Sequence, residues 1–415
     1  MGQGVAGSRA VRWLTGGLVF QDRGFTPLDL GVDAGRIVAL EPPRQRPDDA
    51  TIDCHGLFLL PGLIDCHVHL VMRGEDADPA ANATRSDDEI AAWAAGAAER
   101  TLLGGVTTAR DVGGWNYLEI ALRDEIERGE RVGPRLFAAG RLLSVPTPAV
   151  EYYPGMYEVA LGEEEVRAAV RTQLERGAEV IKVMATGAML SPEGEDARAA
   201  QFTPAELRAA VEEAGAAGVP VAAHAHALEG IANAVEAGVA SIEHGTFAGD
   251  AVLGRMAELG TFLVPTNSTA SPLLRDEALT RATPDHLRRR LEESRETHIA
   301  AMRRATELGV RMAMGTDAGT PGNRHGENAQ ECVLMVEENG MSPGESIAAA
   351  TSEAAALLGR AGDLGTLTVG APADLIGCRA DPLEDIRELT RLVLVMKGGA
   401  VYRDERGVSG ATPPR

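Results

Sequence analysis

From residue 62 to residue 317 the chain alternates short apolar runs with longer amphipathic ones. The short runs are "GLIDCHVHL", "VTTARD", "RLFAAG", "VIKVMATG", "VPVAAHAHA", "ASIEHGT", "TFLVPT" and "VRMAMGTDAG". They are too brief for helices and suit buried strands. Between them lie "EEEVRAAVRTQLERG", "TPAELRAAVEEAGAAG", "LEGIANAVEAG" and "DAVLGRMAELG", whose apolar residues recur every three to four positions. Strand followed by helix, repeated, predicts a parallel sheet, and eight strand runs are what a closed (β/α)8 TIM-like barrel requires. The flanks read differently. "RAVRWLTGGLVFQD", "LGVDAGRIVAL", "ATIDCHGLFLLPG" and, near the other end, "LGTLTVGAPADLIGCRADP" and "ELTRLVLVMKGGAVYRDE" look like short strands and turns. The expected fold class is therefore α/β: a barrel over residues 62–362 with a small composite β-sandwich domain formed by both termini, residues 1–61 and 363–415. The tail "RGVSGATPPR" is expected to be loose.

A barrel of this kind places its chemistry at the C-terminal ends of the strands. Ionisable residues fall there repeatedly: His67 and His69 in the first, Lys182 in the fourth, His224 and His226 in the fifth, His244 in the sixth and Asp317 in the eighth. A single buried histidine reads as a hydrogen-bonded core residue, and Asp317 alone as a turn cap. Together, around one axis, they read as a metal site, because buried polar groups without partners are costly. Lys182 interrupts the apolar "EVIKVMATGA", where an ammonium would be buried beside a cation. It is either salt-bridged, or turned to the rim, or carboxylated on its amine so that it supplies anionic oxygens to two metals.

Composition removes several function classes. The 415 residues carry a net charge of −21, which repels nucleic acid and anionic membrane. With 44% hydrophobic and 24% charged residues the chain is globular, and no apolar run reaches membrane-spanning length. The opening has no apolar leader and no myristoylation pattern, so a soluble, cytoplasmic protein is expected. Cys54, Cys66, Cys332 and Cys378 are scattered without a C-x-x-C, which argues against a disulfide framework or a thiolate zinc knot. The glycine stretches "GGW", "MKGG" and "MGTDAG" make no G-x-G-x-x-G after a strand and no G-x-x-x-x-G-K-[ST], and a G-x-S-x-G nucleophile elbow is missing.

The stretches "PGLIDCHVHL", "GVTTARDVGG", "VIKVMATGAMLSP", "VPVAAHAHALEGIANAVEAGVASIEHGT", "GTDAGTPGNRHGENAQE" and "GTLTVGAPADLI" resemble the amidohydrolase superfamily, covering nearly the whole chain. Within it they are similar to the metal-dependent Xaa-Pro dipeptidase (prolidase-like) and carboxypeptidase branch related to imidazolonepropionase. The resemblance implies two divalent ions, usually Zn2+. His67, His69 and Asp317 would hold one, His224 and His244 the other, with carboxylated Lys182 bridging both and a hydroxide between the ions as nucleophile. Asp317 would also shuttle the proton, and His226 would face the substrate as a catalytic hydrogen-bond donor. His226 with Glu229 also forms an H-x-x-E resembling mononuclear deaminases, but such a centre has no use for Lys182.

Substrate contacts are expected from residues near the barrel mouth: Tyr152 and Tyr153 in "VEYYPGMY", Arg324 and His325 in "GTPGNRHGEN", and Arg110, which is either a partner of Asp111 or a substrate-facing cation. The expected reaction is hydrolysis of the amide bond of a dipeptide or N-acyl amino acid. The alternatives are a cyclic-amide or imidazolone hydrolase or heterocycle deaminase, and a non-catalytic barrel acting as a binding module. The expected partner is a small-molecule or dipeptide substrate, and a homo-oligomer is left open.

Overall fold

A computed structural model describes residues 11–21, 24–47, 50–270 and 277–407. The predicted strand runs form Leu63–Val68, Val106–Asp111, Arg135–Ala138, Ile181–Met184, Val221–Ala225, Ser241–His244 and Phe262–Val264. Nearly every residue in them is buried, as expected of parallel strands covered by helices on one face and packed inward on the other. Pairing within them is parallel throughout. The strands divide into a three-stranded sheet of the first three and a six-stranded sheet of the rest, with Leu142–Ser144 and Tyr157–Val159 at its edge.

The eighth run departs from expectation. Residues 311–318 form isolated bridges rather than a strand, so the assigned sheets do not close into a barrel. The reason is local: Asp317 adopts the left-handed region, φ 61°, which interrupts an extended ladder. The segment still lies between the two sheets. The Leu263 N–H donates to the Arg311 carbonyl at 2.9 Å and Ala313 N–H to Leu263 at 3.1 Å, while Cys66 N–H donates to Met314 at 2.8 Å and His69 N–H to Ala318 at 2.9 Å. Gly315 allows this approach, since a Cβ there would meet Val264 at 2.3 Å and His67 at 2.8 Å.

Strands from both ends of the chain join a separate eight-stranded sheet. Its order runs from Ala400–Asp404 through Leu394–Lys397, Leu375–Cys378 and Phe58–Pro61 to Arg12–Gln21, Gly24–Asp33 and Arg36–Glu41, with Thr51–Asp53 paired to Arg12–Gln21. It buries its own cluster around Leu14, Leu30, Leu59, Leu375 and Met396. A second facing sheet, as a sandwich requires, is not assigned among the described residues. Residues 1–10 and 408–415, including most of the tail expected to be loose, lie outside the described residues.

Three α-helices start where their sequences provide side-chain caps. Ser86, Thr203 and Ser342 each form a reciprocal capping box with Glu89, Glu206 and Glu345. One long helix, Asp285–Glu307, was not anticipated. Among the described residues no helix is long and apolar enough to cross a membrane, and all four cysteines are buried and unbridged.

Candidate metal centre

His67, within the first strand, and His69, just beyond its end, are buried and converge on Asp317: their Nε2 atoms lie 3.5 and 3.4 Å from its Oδ1. Two ligands about 2.1 Å from one tetrahedral ion are separated by about 3.4 Å, so this spacing fits a shared metal. The opposite ring nitrogens are engaged. His67 Nδ1 donates to Glu243 Oε2 at 2.8 Å and His69 Nδ1 to the Gly113 carbonyl at 2.8 Å, which leaves each Nε2 lone pair free for an ion. Behind His67, Glu243 accepts from the Arg110 guanidinium at 2.8 Å and from Ser241. Burial alone would raise the Glu243 carboxyl, but Arg110 and Lys182 offset it and hold it well below the usual range. Burial, aided by Lys182, pushes His67 down to about 4, and burial does the same to His69. Both rings are therefore neutral at pH 7.

The second group comes from the fifth and sixth strands. His224, His226 and His244 present ring nitrogens within 4.8 Å of one another, and His244 also belongs to a triad with His67 and Asp317 under the same limit. The two donor sets share His244. Their supports are neutral: His224 Nε2 donates to the Gly187 carbonyl at 3.2 Å, His226 Nδ1 meets the Thr246 hydroxyl at 2.8 Å, and His244 Nδ1 meets Thr266 Oγ1 at 2.7 Å. Because Thr266 Oγ1 itself donates to the Pro265 carbonyl, it accepts from His244, leaving Nε2 of that ring unprotonated. Burial, reinforced by their mutual proximity, holds His224 and His244 well below the normal histidine range, and burial brings His226 to about 3.

Lys182 is fully buried and its Nζ has no hydrogen-bond partner. Burial lowers its ammonium to about 8 against the pull of Glu243, and its charge bears on all five histidines. An orphaned amine among five neutral imidazoles and a carboxylate fits a metal-bridging group better than a structural cation. Backbone strain points to the same place. His244 (φ 72°), Thr266 (φ 54°) and Asp317 (φ 61°) account for three of the six non-glycine residues at positive φ among those described. A β-branched threonine in this region is costly and persists only where its surroundings over-determine it.

These groups open into a pocket of about 970 Å³, counting its mouth. Its walls include Leu142, Met156, Met184, Met189, Leu190 and Ile299. Tyr153 lines it, with its hydroxyl donating to the Leu190 carbonyl at 2.6 Å, but Tyr152 lies away from it and donates to Asp78 at 2.7 Å. Three further expected substrate contacts also lie off the pocket wall. Arg110 is committed inside the fold to Glu243, Ser241 and the Cys66 carbonyl; it pairs with neither Asp111 nor the pocket. Arg324 is exposed and off the pocket wall, while His325 is buried behind it with Nε2 donating to the Met72 carbonyl at 3.1 Å. Glu229, the deaminase-type acid, is exposed on the first turn of Leu228–Ala237 and does not reach the pocket.

Arg295 is the one guanidinium on the pocket wall among the described residues, and its neighbour His298 is there too. Both come from Asp285–Glu307, whose apolar stripe through Leu287, Leu291, Ile299 and Met302 was hidden by the charge density of "DHLRRRLEESRETHIAAMRRATE". Glu243, Thr246, Thr266 and Thr269 were also missed. Glu243 stands beside His244, and a regular strand would send the two side chains to opposite faces. The left-handed turn at His244 lets both reach the centre.

The chain matches the amidohydrolase family over residues 58–401. It belongs to that family, and is a hydrolase. Ochratoxinase of Aspergillus niger is 36% identical over 378 residues, spanning 83% of this chain and 75% of its own. The crystal structure of a Xaa-Pro dipeptidase with methionine bound in its active site aligns with a TM-score of 0.85 at 33% identity, over 95% of this chain and 100% of that one. A prolidase complexed with N-methylphosphonate-L-proline aligns at 0.86 and 31% identity, with the same coverage. The expected superfamily and its prolidase-like branch are thus shown.

Proposed function

We propose that this amidohydrolase is a two-metal enzyme that cleaves the amide bond of a dipeptide or an N-acyl amino acid. The observation that carries the proposal is the partnerless, buried Lys182 amine set among donor groups that share His244. Its lowered pKa leaves a useful fraction of neutral amine near pH 7. That amine can add to carbon dioxide, forming an N–C bond and releasing one proton, to give a carbamate whose oxygens would serve as anionic metal ligands. His67, His69 and Asp317 would hold one ion and His224 and His244 the other; the imidazole and carboxylate set suits zinc. When bound, such ions lower the pKa of water and polarise the scissile carbonyl.

The chain's own groups divide the remaining work. Asp317 takes the proton of the attacking water and passes it to the leaving nitrogen, with Thr269 Oγ1 holding its other oxygen at 3.2 Å. His224 is favoured as ligand over His226 because its Nε2 proton is committed to a carbonyl, which fixes Nδ1 as a lone pair. His226 leans on a hydroxyl that can donate or accept, so its Nε2 can carry a proton toward the substrate carbonyl. The apolar walls suit an apolar substrate side chain. Relatives named Xaa-Pro dipeptidase and prolidase support a peptide-like bond. We further read the seven predicted strands of the two parallel sheets with segment 311–318 as one eight-stranded barrel over residues 62–362, flanked by a composite β-domain reaching to residue 61 and resuming at 363.

Metal analysis with a panel of dipeptides, N-acyl amino acids and heterocycles tests the proposal. Two ions per chain with amide cleavage support it. Ammonia release from a heterocycle would make the chain a deaminase, and a metal-free, inactive protein would make it a binding module.

A further inference from the structure

Glu331, in the first turn of the helix Gln330–Glu337, is completely buried and makes no ion pair among the described residues. A carboxylate in that position is expensive unless donors replace its water. Four do, and all come from two consecutive residues of one loop. Oε1 accepts from Asn267 N–H and Asn267 Nδ2, each at 2.9 Å; Oε2 accepts from Ser268 N–H at 2.8 Å and Ser268 Oγ at 2.6 Å. The residues on either side of this grip touch the candidate centre. Thr266, at φ 54°, presents Oγ1 to His244 Nδ1 at 2.7 Å, and Thr269 presents Oγ1 to Asp317 Oδ2 at 3.2 Å. A strained threonine needs an external clamp, and the adjacent clamp is Glu331.

We propose that Glu331 is a positioning residue of the active site: by gripping Asn267 and Ser268 it holds Thr266 against His244 and Thr269 against Asp317. The inference rests on the reading of Asp317 as the proton carrier and of His244 as a ligand. It extends that reading to a side chain that touches neither substrate nor metal. A neutral amide is a poorer partner than this carboxylate, because either way round its NH2 meets a backbone N–H, of Asn267 or of Ser268, that can only donate.

The test uses the full-length, metal-loaded enzyme and the variants E331Q, T269V and D317N, with folding checked by circular dichroism. E331Q should lower kcat by about 10- to 100-fold, the usual effect of losing such an outer support, with KM changed by less than about threefold. It should also lose metal faster to a chelator, a readout independent of turnover. T269V should lower kcat about tenfold, and the double variant should be no slower than E331Q alone, because both act on one contact. Multiplicative losses, or wild-type kcat and metal retention in E331Q, would overturn the proposal. Should E331Q not fold, T266V and T269V decide: faster metal loss in the first and a lower kcat in the second support the clamp, and wild-type behaviour in both refutes it. D317N separates the two readings. If D317N turns over normally, the proton-carrier reading fails; if D317N is inactive while E331Q and T269V behave as wild type, only the positioning role fails.

Discussion

The two halves of the candidate centre are supported by different chemistry. On the side of His67 the support is ionic: the imidazole rests on Glu243, which is tied to Arg110, and the whole chain of contacts is shut away from water. On the side of His224, His226 and His244 the support is neutral, a carbonyl and two threonine hydroxyls. A carboxylate behind an imidazole fixes its tautomer and raises its basicity. The Thr246 hydroxyl fixes the orientation of His226 but can give or take the proton, whereas Thr266, its own proton given to the Pro265 carbonyl, only accepts. The Glu243 contact thus holds His67 in one protonation state, and beside it the Gly113 carbonyl does the same for His69. The neutral half can carry a ligand and a substrate-facing donor on the same strand.

Lys182 belongs to both halves, so its removal should have the largest effect. Lys182→Ala should lower metal content and turnover together, the latter by on the order of 10³, since the lost stabilisation is several kcal/mol at about 1.4 kcal/mol per tenfold. A short carboxylic acid that enters the gap should restore part of both. Retention of two ions with ordinary kcat would erase the shared bridge and leave the halves independent.

The contrast between neighbouring histidines comes next. His224→Asn should cost metal, whereas His226→Asn should keep both ions and lower kcat, by about 10²-fold if the lost contact forms mainly in the transition state. Metal analysis showing the reverse pattern would hand the ligand role to His226 and remove the argument from their different hydrogen-bond partners.

A direct comparison of supports follows. Glu243→Gln should weaken metal binding by about 10- to 100-fold, and it leaves the buried Arg110 without its counter-charge, so Tm should fall as well. Thr246→Val, which removes the hydroxyl under His226, should leave metal binding within about threefold and act on kcat instead. Equal metal losses in the two variants would mean that the ionic and neutral halves differ in appearance only.

What the sequence revealed and what it concealed follow from range. Strands and the candidate residues at their ends were legible because strand alternation and the barrel rule are local and repetitive: His67, His69, Lys182, His224 and His244 lie on strands or at their ends. Lys182 was also recognisable as anomalous, since an apolar strand has no use for an ammonium. Glu243 and Arg110 could not be paired in advance, because they sit on strands of separate sheets and meet across the interior. The eighth strand was expected to be regular, and the left-handed Asp317 interrupts it. Asp285–Glu307 escaped because its buried stripe is thin against its many charges, though Arg288 and Glu292 at i, i+4 are a helical signal. Arg324 was misjudged for the opposite reason: a loop that follows Asp317 in sequence was assumed to face the same mouth.

That misjudgement gives the smallest predicted effect. An anion clamp built from Arg324 and His325 would make free-acid substrates depend strongly on both side chains. The structure instead leaves Arg324 in solvent, where a charge contact is weak and screened, and pins His325 to the Met72 carbonyl. Arg324→Ala should therefore change kcat/KM by less than about threefold for a free-acid dipeptide and for its C-terminal amide alike. Arg295 is the guanidinium that faces the pocket, held by Glu338 at 2.6 Å. If the enzyme prefers free acids at all, Arg295→Leu should erode that preference while Arg324→Ala leaves it intact. A loss of acid-over-amide preference confined to Arg324→Ala would show that the loop 323–326 folds over the bound substrate, and would move the anion contact from the helix Asp285–Glu307 back to the segment that follows Asp317.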